Sequence, residues 1–464
     1  MRVPIVSGIV TDGSGSFLTS YPTNREPILK DTGISEGFLG VPPGIVTRVE
    51  TGLGADRGGI NWNGVCYRVI GTKLVQVTAT WGWLVLGDVG MGGPCAFDYS
   101  FDNLIVNSGT RLYYWNQTAG LRQVLDSDLG VVKDAIYVDG YTMTTDGNYL
   151  VVTELNDPTS VNPLKFGSAE DSPDAITGMV HLHGEVYAMG RYTIQTFQNV
   201  GGSDFPFRTV KTATIAMGSV GPRAKCKYYG TIAFVGGPEN AAPGVYLMGA
   251  GDAEKISSQE VDAALAALSD DDLAAVWIEA RVMNDDQRLI VHLPDHSWGF
   301  SMQVSRKSSV KTWCRYVTGQ DGSGAYEGRG LVYCYGKWIV GSSTGQIGTL
   351  ESDTAQHYGA DVGWQFDTTL FYNEGNRGII TGIELIGTPG RGEDGRVMFS
   401  YTKDGQTWSM ERATATGKPG QTRKRVAWRP GIRFESYLGL RFRGVDGALM
   451  GVARLECDVE PLDA

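Results

Sequence analysis

The sequence predicts an all-β chain, with a β-propeller of about seven blades (a range of six to eight) ahead of a β-sandwich-like domain. Three observations carry this. One strand–turn–strand unit recurs seven times along the chain. The 464 residues include 64 Gly, with only 20% charged residues. After Asn376 the pattern changes to longer alternating strands.

The recurring units start at Val65, Leu104, Tyr149, Val186, Ile232, Leu289 and Trp338. Successive starts lie 39, 45, 37, 46, 57 and 49 residues apart. Spacing of this size, with short strands and Gly-rich turns, suits a propeller in which each repeat is one small sheet. A single unit cannot bury its apolar faces alone, so the units must stack. The Gly content supplies the positive φ that frequent sharp turns require. The 15 Phe, 21 Tyr and 11 Trp favour packed strands over disorder.

Residues 1–60 lack the repeat, and Pro4, Pro22, Pro27, Pro42 and Pro43 exclude helix there. They are expected to form an extended arm lying along other surfaces. The propeller is expected over 61–375, with a helical insertion near 257–280. Ser257-Ser258-Gln259-Glu260 has the form of a capping box, with Val261, Leu265 and Leu268 following at helical spacing. Ser269 before Asp270-Asp271-Asp272 starts a second short helix, its acids at the positive end. Residues 376–464 hold the sandwich-like domain, with four alternating strands separated by turn residues.

The formal net charge is −11. Such a surface does not suit nonspecific nucleic-acid binding, which needs clustered Lys and Arg. The charge is uneven. Residues 376–464 carry 14 Lys/Arg against 11 Asp/Glu, and residues 1–375 carry 26 against 40. Opposite signs on two parts of one chain suit head-to-tail assembly. The six cysteines form no C-x-x-C pair and are expected to stay as mostly buried thiols. The opening segment lacks a basic stretch followed by a long apolar one, so no secretory signal is expected. No apolar run approaches the length of a membrane span.

Several residues invite a chemical reading. His181 and His183 alternate in sequence and would share one strand face, the arrangement that begins a zinc site. A third ligand with suitable spacing is missing, and no metal is expected. His292, Asp295, His296 and Ser297 suggest a triad, but adjacency in sequence is not relay geometry. Thr402 to Trp408 resembles the aspartate-box turn of sialidase-type propellers, with Asp404 and Gly405 adjacent where that pattern separates them. Physically it is a hairpin turn. A glycosidase would also need two carboxylates in one cleft. No phosphate-binding or dinucleotide fingerprint is present. The chain is expected to be no enzyme and to need no cofactor.

The candidate functional residues are C-terminal arginines. Arg423, Arg425 and Arg429 would share one strand face, beside Val426 and Trp428. Arg441 and Arg443 would face away from Leu438, Leu440 and Phe442. An exposed arginine row beside aromatic residues would dock an acidic protein partner, because Arg forms bidentate pairs.

Several segments together resemble a known family. They are Ser20-Tyr21-Pro22-Thr23-Asn24, Gly37-Phe38-Leu39, Pro43-Gly44-Ile45, Val65 to Gly71 with Lys73-Leu74, Leu289 to Pro294, Lys424-Arg425-Val426 and Trp428-Arg429. In order and spacing they resemble the packaged DNA stabilisation protein, or tail hub, of short-tailed bacteriophages. The resemblance is loose over Asn156–Asp174 and Gly387–Gly395. It implies a virion structural protein assembled in the host cytoplasm, with no membrane contact. It also implies a six-fold ring below the portal and its adaptor, closing the DNA channel. The tail needle would dock on the ring and tailspikes could attach at its side. The alternative expectation is a glycan-active propeller, sialidase-like or a depolymerase tail protein. A cytoplasmic scaffold is a third class.

Overall fold

The computed structural model describes residues 2–169, 174–202, 204–210, 213–249, 251–372 and 377–462. Seven antiparallel sheets succeed one another along the chain. Blades 1 to 6 span 56–88, 96–123, 134–168, 176–209, 218–255 and 277–316. Blade 7 takes three strands from 329–351 and its outermost strand from Gly44–Glu50. Each recurring unit read from the sequence falls in its own blade. Six start on the second strand of the blade, whereas Tyr149 starts the third strand of blade 3. Counted from the second strand of blade 3, at Tyr141, the neighbouring spacings become 37 and 45, so the unevenness belongs to the blades themselves.

The hydrophobic core is divided as stacked blades require. One apolar cluster fills each junction between neighbouring blades, including the junction of blade 7 with blade 1. At that last junction Val49, Val75, Val332 and Ile347 pack together. Gly44–Glu50 thus ties the start of the chain to the end of the propeller. It pairs with Gln346–Glu351 in an antiparallel ladder.

The expected arm needs correction. Gly44–Glu50 and Asp56–Trp62 are propeller strands, because blade 7 lacks a fourth strand of its own and blade 1 begins at Asp56. Earlier segments are extended. Glu26–Leu29 and Gly37–Gly40 form a hairpin that joins the sandwich through Leu39 and Val452. Arg2–Val3 pairs with the last strand, Val452–Pro461. The boundary expected at 375/376 lies outside the described residues. Gly363–Asp367 already belongs to the sandwich, pairing with Tyr437–Val445.

The sandwich is two sheets around one core, dominated by Trp364, Phe366, Phe399, Trp428 and Phe442. Phe442 lies within 5.6 Å of the rings of Phe366, Phe399 and Trp428. The helical insertion is present as Gln259–Ala266 and Asp270–Ala274. Ser269 caps the second helix, its Oγ accepting from the Asp272 N–H at 3.2 Å. Ser258 makes no capping bond, and Glu260 instead accepts the Thr19 N–H at 2.7 Å. The capping-box pattern therefore serves a long-range contact with the arm. Met302–Ser308 adds a third helix that the sequence reading did not foresee.

Candidate functional site

The axis of the propeller is lined by the innermost strands of the seven blades. It encloses a cavity of about 380 Å³. Asp134 of blade 3 is its electrostatic centre. Its carboxylate accepts from Lys225 Nζ at 2.8 Å, from the Met179 N–H at 2.8 Å, and from Arg223. Burial alone would raise its pKa, but Lys225 and Arg223 outweigh that and leave it lowered. Lys225 is pushed down to about 8, by burial first, with Asp134 opposing. The carboxylate is thus neutralised by pairs from blade 5 and serves as a cross-axis pin, leaving it poorly suited to acid–base work on a ligand.

The histidines do not form a metal face. His181 is half-buried on Ile176–Leu182, whereas His183 sits in the turn with φ 54°, followed by Gly184 with φ 81°. The expected strand alternation fails because His183-Gly184 is a two-residue turn with positive φ at both positions, which takes His183 out of the strand. Among the described residues no cluster of three His, Cys, Asp or Glu could hold a metal ion. None of the six cysteines forms a disulfide.

The suggested triad is rearranged. Ser297 Oγ lies 2.9 Å from Nδ1 of His292, not of His296. His292 Nε2 lies 2.9 Å from Glu279. The chain Ser297–His292–Glu279 has relay connectivity, yet Ser297 is fully buried. Glu279 also accepts the N–H groups of Gly330 at 3.0 Å and Leu331 at 2.6 Å. These bonds lock blade 6 to blade 7, and burial lowers the pKa of His292 despite Glu279. A nucleophile needs access to substrate, and this serine has none.

The Asp404 turn forms as expected. Gly405 has φ 79°, and Asp404 accepts the N–H groups of Gln406 at 2.9 Å and Thr407 at 2.8 Å. The Thr407 hydroxyl and these amides hold its carboxyl well below the usual range. Trp408, the last residue of the segment, is half-buried. It lies 3.7 Å from the Arg441 guanidinium.

That contact bears on the arginine row. Arg441 makes two 2.8 Å bonds to Asp367, which is buried. Arg443 pairs with Glu411, one bond at 2.8 Å. Arg425 pairs with Glu384, its Nε donating at 2.8 Å. Three of the five arginines therefore already meet carboxylates of their own chain. Arg423 and Arg429 are exposed and form no ion pair among the described residues. Arg423 lies in a turn, because the strand covers only Val426–Trp428, so the three do not share one strand face. Val426 and Trp428 point into the core and Ala427 outward, as alternation requires.

A junction missed in the sequence joins the propeller, arm and sandwich. Glu26 is buried and accepts from Arg281 and from the Tyr316 hydroxyl at 2.6 Å. Arg288 stands 3.7 Å away. Burial would raise the Glu26 pKa, but the two guanidinium groups outweigh it. Asn24 donates to Val317 O at 3.0 Å and Gly363 O at 2.7 Å, bridging propeller and sandwich. Arg25 lies 4.1 Å over Trp364. Beside this strap is a cavity of about 570 Å³, bounded by Ile28, Phe38, Met283, Thr388 and Leu449. The sequence signal was the polar run Thr23-Asn24-Arg25-Glu26 set between Pro22 and Pro27.

Comparison with known proteins agrees with this two-part architecture. Residues 1–355 match the family described as Bacteriophage P22 Gp10, beta-propeller. Residues 363–460 match Bacteriophage P22 Gp10, beta-sandwich. The chain belongs to the bacteriophage P22 Gp10 family. It is 24% identical to the tail hub protein gp10 of Salmonella phage P22, covering 95% of this chain and 96% of the relative. Solved structures are more distant. The Neurospora crassa Pan2 WD40 domain aligns with a TM-score of 0.41 at 9% identity, over 67% of this chain and 94% of that one. The N-terminal domain of Nup159 aligns with a TM-score of 0.42 at 9% identity, over 67% and 95%. The Gp10 match spans the propeller, the junction and most of the sandwich, so the strap residues lie within the family's own extent.

Proposed function

We propose that this chain is a tail-hub subunit of a short-tailed phage, a structural protein with no catalytic step. The observation that carries the reading is the near end-to-end match to the P22 tail hub protein, with both domains in the same order. In this reading the subunit forms a six-fold ring in the virion tail, assembled in the host cytoplasm. The ring docks below the portal adaptor and retains packaged DNA by closing the exit. It carries the tail needle and offers a side attachment for tailspikes. Retention is mechanical, because a chain of net charge −11 is a poor channel-wide phosphate clamp. Arg423 and Arg429 serve protein contacts, and Arg425, Arg441 and Arg443 are held by carboxylates of their own chain.

The test is genetic and structural. Phage made without this gene should package DNA and then lose it, and supplying the protein to purified DNA-filled heads should restore retention. Particles that keep their DNA and infect normally without the protein would remove the reading. Glycan cleavage by the purified chain would favour a depolymerase instead.

A further inference from the structure

One end of the propeller is acidic and apolar over blades 2 to 5, while the third turn of blade 6 at the same end holds the exposed Arg306, Lys307 and Lys311. In a four-stranded blade the first and third turns lie at the same end. Bonds between neighbouring blades join these turns around the face: Trp62 Nε1 donates to Ser100 O at 3.2 Å, Asn199 to Asp139 at 3.0 Å, and the Tyr229 N–H to Gln287 at 3.0 Å. The turns of blades 2 to 5 and the first turn of blade 6 contain Asp102, Asp139, Asp204, Asp252 and Asp285, and no Lys or Arg. They also hold out large apolar side chains. Phe101 is 92% exposed, and Leu155 and Val200 are each 56% exposed. A rim of apolar groups among carboxylates on a folded monomer marks a docking surface.

The sandwich carries the opposite surface. Residues 412–433 contain seven Lys/Arg and no Asp or Glu. All seven are exposed, among them Arg412, Lys418, Arg423, Lys424, Arg429 and Arg433. Only Arg425 of the seven forms an ion pair among the described residues. The segment holds the edge strands of both sandwich sheets, Arg412–Ala415 and Val426–Trp428. Trp428 Nε1 donating to Arg412 O at 2.9 Å holds the two edges together. The basic groups thus stand on a braced edge.

We propose that the basic edge of one copy docks on the acidic turn face of the next copy. This rests on the hub reading, and it names the surfaces that would hold the ring together. The contact is heterologous, with different surfaces meeting, and a contact of that kind repeated around an axis closes a ring. Charge complementarity selects the partner. The same chain supplies both signs, and Phe101 and Leu155 supply apolar area that phosphate backbone would not use. Duplex DNA is the other ligand a basic edge could take. The −14 balance of residues 1–375 opposes it.

The test uses two charge reversals in the full chain, one on the edge (Arg423→Glu, Lys424→Glu, Arg429→Glu) and one on the face (Asp102→Lys, Asp139→Lys, Asp285→Lys). Circular dichroism and thermal melting check that each variant folds. Self-association is read by sedimentation velocity over a wide concentration range at low ionic strength. Wild type should associate, and more weakly as salt rises. Each variant alone should associate roughly tenfold or more weakly. An equal mixture of the two should recover association, because each reversed edge then meets a reversed face. A wild type that stays monomeric throughout, or a mixture that fails to recover, overturns the proposal. Loss of duplex-DNA binding in the edge variant with self-association intact assigns the edge to phosphate. If purified tails contain the wild-type chain and both variants still assemble into them, the hub reading stands and this contact falls. If tails never contain the wild-type chain, the hub reading itself falls.

Discussion

The propeller and the sandwich are both antiparallel β structure, yet they are held together differently. In the propeller, buried ions cross from one element to another. Arg68 and Asp56 pair at 2.6 Å with essentially no exposure, at the seam between blades 1 and 7. Gly341 is needed there, since a Cβ on it would fall 2.1 Å from the Asp56 carboxyl carbon. Asp134 and Glu26 play the same part at the axis and at the arm. In the sandwich the interior is an aromatic stack, the Arg425–Glu384 and Arg443–Glu411 pairs lie at the surface, and the buried Asp367 meets Arg441 and the arm's Ser20 rather than a partner in the stack. A ring of separate small sheets leaves polar strand ends facing one another across each seam, and those must be paired once water is excluded. Two sheets packed face to face can exclude polar groups from the middle altogether.

Each prediction tests that contrast. The largest effect is expected from Glu26→Ala. It leaves Arg281 and Arg288 buried without their shared carboxylate, a loss of about 3–5 kcal/mol. Scanning calorimetry should show the propeller transition fall and the two domains unfold less cooperatively. An unchanged transition would show that the strap does not couple them.

Phe442→Ala should be of similar or slightly smaller size, about 3–4 kcal/mol, because the side chain is fully buried among three aromatic rings. The loss should appear in the sandwich transition, leaving the propeller in place. A shift of both transitions would mean that the domains unfold as one unit.

Next comes pH. His357 is buried beside the closing strand, its N–H bonded to Ala360 O and its Nδ1 3.0 Å from Thr318 Oγ1. Burial pushes its pKa down to about 4 from 6.5. The unfolded chain then binds a proton that the folded chain refuses. Stability should therefore fall as pH drops from 6.5 towards 4, by up to ~3 kcal/mol, and level off below. Denaturant titrations of wild type and His357→Gln should diverge in that window, the variant losing less. Parallel curves would assign the acid sensitivity elsewhere, to His292 or His296, whose pKa values burial also lowers.

The smallest effect should come from Arg443→Ala. Its pair with Glu411 is substantially exposed, so the loss should stay within ~1 kcal/mol and shrink further in salt. A larger loss, measured by urea denaturation, would show that the sandwich too depends on its ion pairs.

Local rules made much of this legible. Six of the seven blades announce themselves through an alternating hairpin and a Gly-bearing turn, and blade 6 uses Asn284-Asp285 and Pro294-Asp295 instead, signals set by residues a few positions apart. The short helix after Ser269 and the Asp404 turn follow from the same short-range chemistry. Where a residue had two local readings, distance decided between them. Glu260 had the sequence of a capping residue and was taken by Thr19. His183 alternated with His181 and was diverted into a turn.

By itself the sequence determined that the chain is β-rich, that one unit repeats seven times, and that a different domain follows. These are properties of period and turn chemistry, which act between near neighbours. The tertiary structure alone decided that Gly44–Glu50 closes blade 7 and that the first strand pairs with the last. It also decided which arginines remain unpaired. Asp367, Glu384 and Glu411 stand 74, 41 and 32 residues from the arginines they hold. An arginine's partner is whichever carboxylate the fold brings within hydrogen-bond reach, and no periodicity in the chain encodes that distance.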